Sequence, residues 1–219
     1  MTPKEMRSEF NLYYNNIGSN QAPGLPDYEI SVYITKAQNL VQEELYSALD
    51  SNEASKRLLA SSIVYETYPT TSRDSRKSHG VDCKFIELND CRYIINEYVE
   101  FGDSAGACLK GRVGDVTPAT HDTINSVVAN PFKFNNNHCV RLDVDGGVEI
   151  LYKVRPESYC VTYIKRLKPV FVSTGLKSID DTECPSNIDD LWDCELSPDI
   201  HRKVVELAAK LALQDFKMS

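Results

Sequence analysis

Apolar residues recur every three or four positions between Pro26 and Leu49, and this spacing predicts a long amphipathic helix. Pro26 suits the first turn, and Asp27 and Glu29 place negative charge at the positive end of the helix dipole. The apolar stripe comprises Ile30, Tyr33, Ile34, Ala37, Val41, Leu45, Ala48 and Leu49. The opposite side carries the polar residues Ser31, Gln38, Asn39, Gln42 and Glu43. Such a helix must bury its stripe, either within its own chain or against a neighbouring copy.

Three further stretches show helical periodicity. Residues 3–17 predict a first helix, capped by the preceding threonine, and residues 53–68 predict a third helix that the following proline ends. The last helix has the clearest start, with Ser197 as its cap and Pro198 at its first position. Its predicted buried stripe consists of Ile200, Val204, Leu207, Ala208 and Leu211.

From Val81 onward the apolar pattern becomes that of β-strands. Short apolar runs flank Asp145-Gly146-Gly147, which predicts a hairpin between residues 139–144 and 148–154. Further extended segments are predicted at residues 83–88, 159–165 and 169–172, the last at a sheet edge because it begins with a proline.

Other segments of the β region give mixed signals. Residues 92–101 fit a strand or a short helix, and residues 121–129 a short helical or extended link. Glycines and a proline favour a loop over residues 109–119. The predicted fold class is therefore α+β: an N-terminal helical hairpin or bundle, a small antiparallel β-sheet and a C-terminal amphipathic helix.

The same pattern divides the chain into four regions. Residues 1–69 are expected to form a helical region. Residues 70–80 are polar, basic and without large apolar side chains, so they predict an exposed loop. Residues 81–175 are expected to be β-rich. Residues 176–219 hold an acidic loop and the C-terminal helix, which is expected to pack back on the helical region.

Composition and charge narrow the function classes. The chain has 219 residues of which 42% are hydrophobic, enough for a sizeable core. Its net charge of −8 argues against a general nucleic-acid binder. We expect no membrane helix and no secretory signal, because the chain has no long apolar run and its first residues lack an apolar centre. Seven cysteines without a CxxC motif predict reduced thiols.

Candidate chemistry is sparse. Cys184, Cys194 and His201 lack the paired spacing of a structural zinc site. The Asp143–Gly146 stretch resembles part of a calcium loop, but a hairpin turn explains it better. His138 and Cys139 are neighbours on a predicted strand, so their side chains point to opposite faces. We therefore expect no catalytic residue, no metal and no cofactor.

A basic cluster at the end of a predicted strand is the remaining charged feature. Lys165, Arg166 and Lys168 suit an acidic partner surface or passing DNA, although a solvated strand end is the simpler interpretation. Together with the long helix and the basic loop, they give the interface candidates, which are Asp27, Glu29, Gln38, Gln42, Arg73, Arg76, Lys77, Lys165, Arg166 and Lys168.

Three sequence stretches resemble structural proteins of crAss-like tailed bacteriophages. They are FNLYYNNIGSNQAPGLPDYEISVYITKAQ at 10–38, NPFKF at 130–134 followed by VEILYKVRPESYCVTYIKRLKPVFV at 148–172, and ELSPDIHRKVVELAAKLA at 195–212. Within that group the pattern is similar to a ring or adaptor protein of the head-to-tail connector. The resemblance touches both ends of the chain and the β region, but it leaves residues 70–130 without a recognisable motif.

The resemblance implies a non-enzymatic subunit of the virion neck, made in the host cytoplasm. Its implied partners are the portal protein, neighbouring ring or tail proteins, and further copies of itself in a twelvefold ring. DNA is expected to pass through the channel without specific binding, and no membrane is involved. The alternatives are a binding or accessory virion module, such as a minor capsid or portal-vertex protein, and a hydrolase-like accessory protein.

Overall fold

The computed structural model describes residues 1–17, 23–49, 52–70, 76–187, 191 and 193–218. The chain forms two compact units. The helical unit comprises Met1–Ser62 and Leu167–Ser219, and the sheet unit comprises Ile63–Arg166. The chain therefore leaves the helical unit once and returns to it once.

The helical unit is built around three long helices. Its helices are α1 (Pro3–Ile17), α2 (Asp27–Ser47), the short α3 (Glu53–Leu59) and α5 (His201–Met218). Helix α5 packs against both α1 and α2. The buried side chains at the centre of the unit are Met6, Phe10, Ile30, Ile34, Val41, Val204, Val205, Ala208 and Ala209.

The buried face of α5 differs from the predicted stripe. Val204 and Ala208 are buried as expected, but Leu207 and Leu211 are only half-buried. The rest of the buried face consists of Val205, Ala209, Ala212 and Leu213. Because α5 lies against two helices, its buried face is wider than a single stripe, and its alanines allow the helices to approach closely.

Helix α2 is buried on its polar side as well as on its apolar side. Ser31, Thr35, Gln38 and Gln42 are all 0–3% exposed. Three of these side chains bind the main chain of residues 168–172, an extended segment that we call the strap. The N–H groups of Val172 and Val170 donate to Ser31 Oγ and Thr35 Oγ1, each at 3.1 Å. Gln38 Nε2 donates to the carbonyl oxygen of Lys168 at 2.6 Å.

The polar side chains of α2 supply the hydrogen bonds that a neighbouring strand would otherwise provide to the strap. Side chains at positions i, i+4 and i+7 lie along one side of a helix, and alternate residues of an extended segment point the same way. The spacing of these side chains along α2 matches the spacing of the main-chain groups along the strap, so three successive hydrogen bonds form. The strap was predicted as a sheet edge, but its buried main-chain groups are satisfied by helix side chains instead.

Over its described residues, the sheet unit forms one mixed sheet of eight strands. The strands are β1 (Ile63–Pro69), β2 (Arg76–Ser78), β3 (Val81–Glu87), β4 (Cys91–Glu100), β5 (Val113–Ala119), β6 (His138–Val144), β7 (Gly147–Leu151) and β8 (Ser158–Lys165). Their order across the sheet is β1-β8-β4-β5-β6-β7-β3-β2. The pair β5–β6 is parallel, and the other pairs are antiparallel. The short helix α4 (Ile124–Ala129) lies in the connection between the two parallel strands.

The predicted small antiparallel sheet is therefore wrong, because the sheet is large and mixed, and β1, β2 and β5 had been predicted as a helix or as loops. The third helix was predicted to continue to Tyr68, but it ends at Leu59 and β1 follows. Strand β1 is rich in β-branched and aromatic residues, and it pairs with β8 along its full length. Residues 92–101, left open between two states, lie mostly in β4. Strand β5 was predicted as a loop, since its glycine and proline hid its pairing with β6.

Two tight turns fix strand register locally. The predicted hairpin is confirmed: β6 and β7 are joined by Asp145-Gly146, and Gly146 has a φ of 74°. Strands β2 and β3 are joined by His79-Gly80, both with positive φ, as a two-residue hairpin turn of the primed type requires.

The sheet curls, and chain length requires it to do so. Six residues separate Pro69, at one edge of the sheet, from Arg76, at the other. Fully extended, this link reaches at most about 25 Å. Eight strands laid flat place their edge strands about 34 Å apart. The two edges are thus held closer together than a flat sheet permits.

A charged pair is buried within the sheet unit. Arg141 Nη1 lies 3.0 Å from Glu97 Oε1, and the two side chains are only 12% and 10% exposed. Tyr159 Oη donates to Glu97 Oε2 at 2.7 Å. Burial raises the pKa of Glu97, although Arg141 and the Tyr159 hydrogen bond oppose that rise. Strand β4 pairs with β5 only from Tyr98 onward, so Glu97 stands where the two strands separate.

Candidate assembly surfaces

The interface candidates on α2 divide into exposed and buried residues. Asp27 and Glu29 lie in the first turn, where Asp27 Oδ1 is 2.7 Å from Arg7 Nη2 and Glu29 is exposed. Gln38 and Gln42 are fully buried, and Gln38 holds the strap. Only the first pair is therefore accessible to another molecule on the surface of the helical unit.

The predicted basic cluster is divided between the two units. Lys165 and Arg166 close β8 in the sheet unit, where the Arg166 N–H donates to the Asp90 carbonyl oxygen at 2.7 Å. Lys168 begins the strap in the helical unit, and its N–H donates to Glu195 Oε2 at 2.9 Å. Main-chain bonds thus fix both ends of this short basic stretch.

The basic loop candidates lie at an edge of the sheet. Arg76 and Lys77 belong to the edge strand β2 and are exposed, whereas Arg73 lies outside the described residues. The Arg76 guanidinium lies 4.9 Å from the ring centre of Phe85, and its Nε is 3.8 Å from Glu149 Oε1. Basic residues on a short edge strand discourage uncontrolled strand pairing with other molecules.

A shallow, open cavity adjoins this edge, and two lysines are among the residues that line it. It has a volume of about 330 Å³ and is lined by Lys77, Gly80, Val81, Asp82, Val128, Phe134, Tyr152 and Lys153. Lys153 Nζ lies 5.2 Å from the ring centre of Phe134, and Arg155 Nε donates to Tyr152 Oη at 3.2 Å. We call this site the basic cavity. It combines apolar walls with ammonium groups.

The helical unit carries an exposed acidic turn that sequence reasoning did not single out. Ile179 and Thr182 exchange two main-chain hydrogen bonds, at 3.1 and 2.9 Å. Asp180 and Asp181 between them have φ values of 48° and 61° and are exposed. Aspartate tolerates this left-handed conformation better than most residues. The available signal was the pair of aspartates in a turn-rich stretch, which was assigned only as an acidic loop.

An exposed aromatic residue was also missed. Phe132 is 87% exposed, in the loop that follows α4. Its N–H donates to Asn130 Oδ1 at 2.9 Å, and Asn135 Nδ2 donates to the Pro131 carbonyl oxygen at 3.0 Å. These bonds order the loop around the exposed ring. Exposed aromatic side chains on ordered backbone are common anchors at protein interfaces.

Among the residues considered for chemistry, Cys139, Cys194 and His201 are buried, and both histidines have polar neighbours. Burial raises the pKa of the Cys139 thiol to about 12 and that of Cys194 to about 11. His138 lies on the same strand with its Nδ1 3.7 Å from Asp115 Oδ2. His201 is buried, with Nε2 2.8 Å from the Leu196 carbonyl oxygen and Nδ1 2.9 Å from the Met1 amino group.

The part of the chain that the structure describes holds neither a metal-binding cluster nor a helix long and apolar enough to cross a membrane. Across residues 1–17, 23–49, 52–70, 76–187, 191 and 193–218, no group of three or more His, Cys, Asp or Glu side chains is arranged to hold a metal ion. Within the same ranges, every helix is too short or too polar to cross a bilayer.

Comparisons with known proteins converge on one group. A family model described as phage tail ring protein 3/4 matches residues 1–218. Ring protein 3 of Bacteroides phage crAss001 is 28% identical over 225 residues, covering 97% of this chain and 95% of the relative. Ring protein 4/5 of the same phage is 28% identical over 241 residues, covering 97% of this chain and 92% of the relative.

Proposed function

The chain belongs to the phage tail ring protein 3/4 family, and we propose that it is a structural subunit of a closed ring in the virion neck, connecting portal and tail. The family match over nearly the whole chain carries this proposal. The two similar ring proteins match over more than nine-tenths of their own lengths, so the similarity is not confined to one domain of those proteins.

The proposed partners are further copies of the chain, the portal protein, and neighbouring ring or tail proteins. We propose a twelvefold ring. DNA passes through its channel without specific binding, because a protein with a net charge of −8 has little overall attraction for phosphates. The protein is made in the host cytoplasm and ends in the particle.

The proposed role is architectural, with neither turnover nor a cofactor. The raised thiol pKa values support it, because the nucleophilic form of a cysteine is the thiolate. The two described ring relatives support it too, since their names describe an assembly component.

A closed ring requires a head-to-tail interface between two different faces of each subunit. Such a contact should bury more than about 1,000 Å² to be specific. The accessible candidates are Asp27 and Glu29 on α2, Arg76 and Lys77 on β2, and the basic residues around the end of β8. The exposed ring of Phe132 adds an apolar anchor.

The test is made on purified, DNA-filled particles. Mass spectrometry should detect the chain in stoichiometric amount, and cryo-EM of the neck should show it as a closed ring below the portal. Its absence from the particles, or its location outside the neck, contradicts the proposal.

A further inference from the structure

The two units carry very different charge. The helical unit holds most of the net charge of −8, whereas acidic and basic residues nearly balance in the sheet unit. Within the sheet unit, basic side chains gather at the β2 edge and around the basic cavity. Each copy of the chain therefore presents both an acidic surface and a basic surface.

The basic cavity lacks a charge partner for its two lysines among the contacts of the described residues. Lys77 is exposed on β2, and Lys153 lies over the Phe134 ring. Among the described residues that line the cavity, Asp82 is the one with a carboxylate, and it stands opposite Lys77 in the β2–β3 register. With two ammonium groups against one carboxylate, the cavity favours an acidic occupant, and its volume of about 330 Å³ suits a few side chains.

The acidic turn has matching properties. Asp180 and Asp181 are exposed, adjacent and at the tip of a two-residue turn closed by main-chain bonds. Ile179 beside them is buried, so the turn is anchored in the helical unit. A narrow, ordered tip loses little conformational freedom on binding.

We infer that the basic cavity of one copy receives the Asp180-Asp181 turn of a second copy. The inference rests on the proposed ring and specifies one contact between neighbours. Cavity and turn are different surfaces, so the contact is head-to-tail, which is the type of contact that a closed ring requires. Opposite charges on the two faces also set the orientation of the partners and disfavour like-to-like pairing.

A zero-length crosslinker tests the contact in DNA-filled particles. A carbodiimide joins a lysine to a carboxylate that it touches, so covalent dimers of the chain should contain Lys77 or Lys153 linked to Asp180 or Asp181. Dimers joined only through other residues overturn the inference and leave the proposed ring standing. Lys77 or Lys153 linked by formaldehyde to DNA, without any carboxylate link, overturns it in favour of a nucleic-acid contact. Absence of the chain from the particles overturns the proposed function itself.

Charge-removing variants test the energetic coupling of the two surfaces. One variant carries Lys77→Gln and Lys153→Gln, and the other carries Asp180→Asn and Asp181→Asn, which suits the left-handed turn. Each should enter particles at least about tenfold less than wild type in competition during infection. The control Lys110→Gln, at an exposed site on the same unit, should enter normally.

The combined variant distinguishes a shared contact from two separate ones. If cavity and turn bind each other, the four substitutions together should reduce entry no more than either pair alone. Losses that multiply show that the surfaces act independently and overturn the inference. Normal entry of both pair variants does so as well.

Discussion

Both units bury polar side chains, but the two sets solve different problems. On α2 of the helical unit, Ser31, Thr35 and Gln38 are neutral and bind the main chain of the strap. In the sheet unit, Glu97 and Arg141 are charged and bind each other. The neutral set supplies partners for backbone groups that have no strand beside them. The charged pair offsets the cost of its own burial, with further contacts from Tyr159 Oη to Glu97 and from Asp143 to Arg141.

This difference determines what a substitution should cost. Loss of a neutral acceptor leaves one buried N–H unpaired, a modest penalty. Loss of one member of a buried ion pair leaves an uncompensated charge, which costs much more, whereas replacement of both by apolar residues is often neutral.

The largest effect is expected for Arg141→Ala. It strands the Glu97 carboxylate in a buried site and should lower the free energy of unfolding by about 3–5 kcal/mol. Urea denaturation followed by circular dichroism measures it. The matched control is the double variant Glu97→Leu with Arg141→Met, which should stay much closer to wild type. A loss below about 1 kcal/mol for Arg141→Ala would show that the charge is not effectively buried.

Thr35→Val should have a smaller effect. It removes the acceptor of the Val170 N–H while keeping the side-chain shape, and should cost about 1–3 kcal/mol. Thr35→Ser keeps the hydroxyl and serves as the control. The same urea titration applies. Equal stability of the Val and Ser variants contradicts a role for the hydroxyl in holding the strap.

The charged pair also predicts an unusual pH dependence. Burial raises the pKa of Glu97 above 4.5, the value for the unfolded state. Just above pH 4.5, Glu97 is therefore protonated in the folded state and ionised in the unfolded state. The contribution of Glu97 to the free energy of unfolding is thus fully present below about pH 4.5. It is lost as the pH rises through the pKa that Glu97 has in the folded state. Relative to Glu97→Gln, wild type should lose stability over that range. A difference that is constant with pH, or that grows in favour of wild type, contradicts this sign.

The smallest effect concerns the reactivity of two thiols toward alkylation. Burial raises the pKa of Cys139 to about 12, whereas Cys108 is exposed. Under native conditions iodoacetamide should label Cys108 and spare Cys139, which lies two residues before Arg141 on β6. In Arg141→Ala, labelling of Cys139 should become faster as the sheet opens more often. Peptide mass spectrometry measures both rates, and equal labelling of the two thiols in wild type would contradict burial of Cys139.

The sequence predicted the features that local chemistry determines. The turn at Asp145-Gly146 defined the β6–β7 hairpin, because glycine tolerates the positive φ that the turn needs. Helices α1 and α2 were recognised from their apolar spacing. Exposure of Arg76 and Lys77 followed from a polar, basic stretch.

What the sequence hid depends on distant partners. Ser31, Thr35 and Gln38 look like a solvent-facing side, since the strap that they bind lies more than a hundred residues further along. Residues 63–68 fit a helical pattern when the sequence is considered locally, and only pairing with the distant strand β8 makes them a strand. The basic cavity likewise joins Lys77 to Lys153 through sheet pairing that no local pattern reveals.

The short link between Pro69 and Arg76 has a mechanical consequence. It ties the two outermost strands of the sheet covalently, so a force that pulls those strands apart is resisted by peptide bonds once the link is taut. Hydrogen bonds between the intervening strands are then shielded from much of that load. The link therefore sets an upper limit on how far the two outermost strands can separate while the chain stays intact.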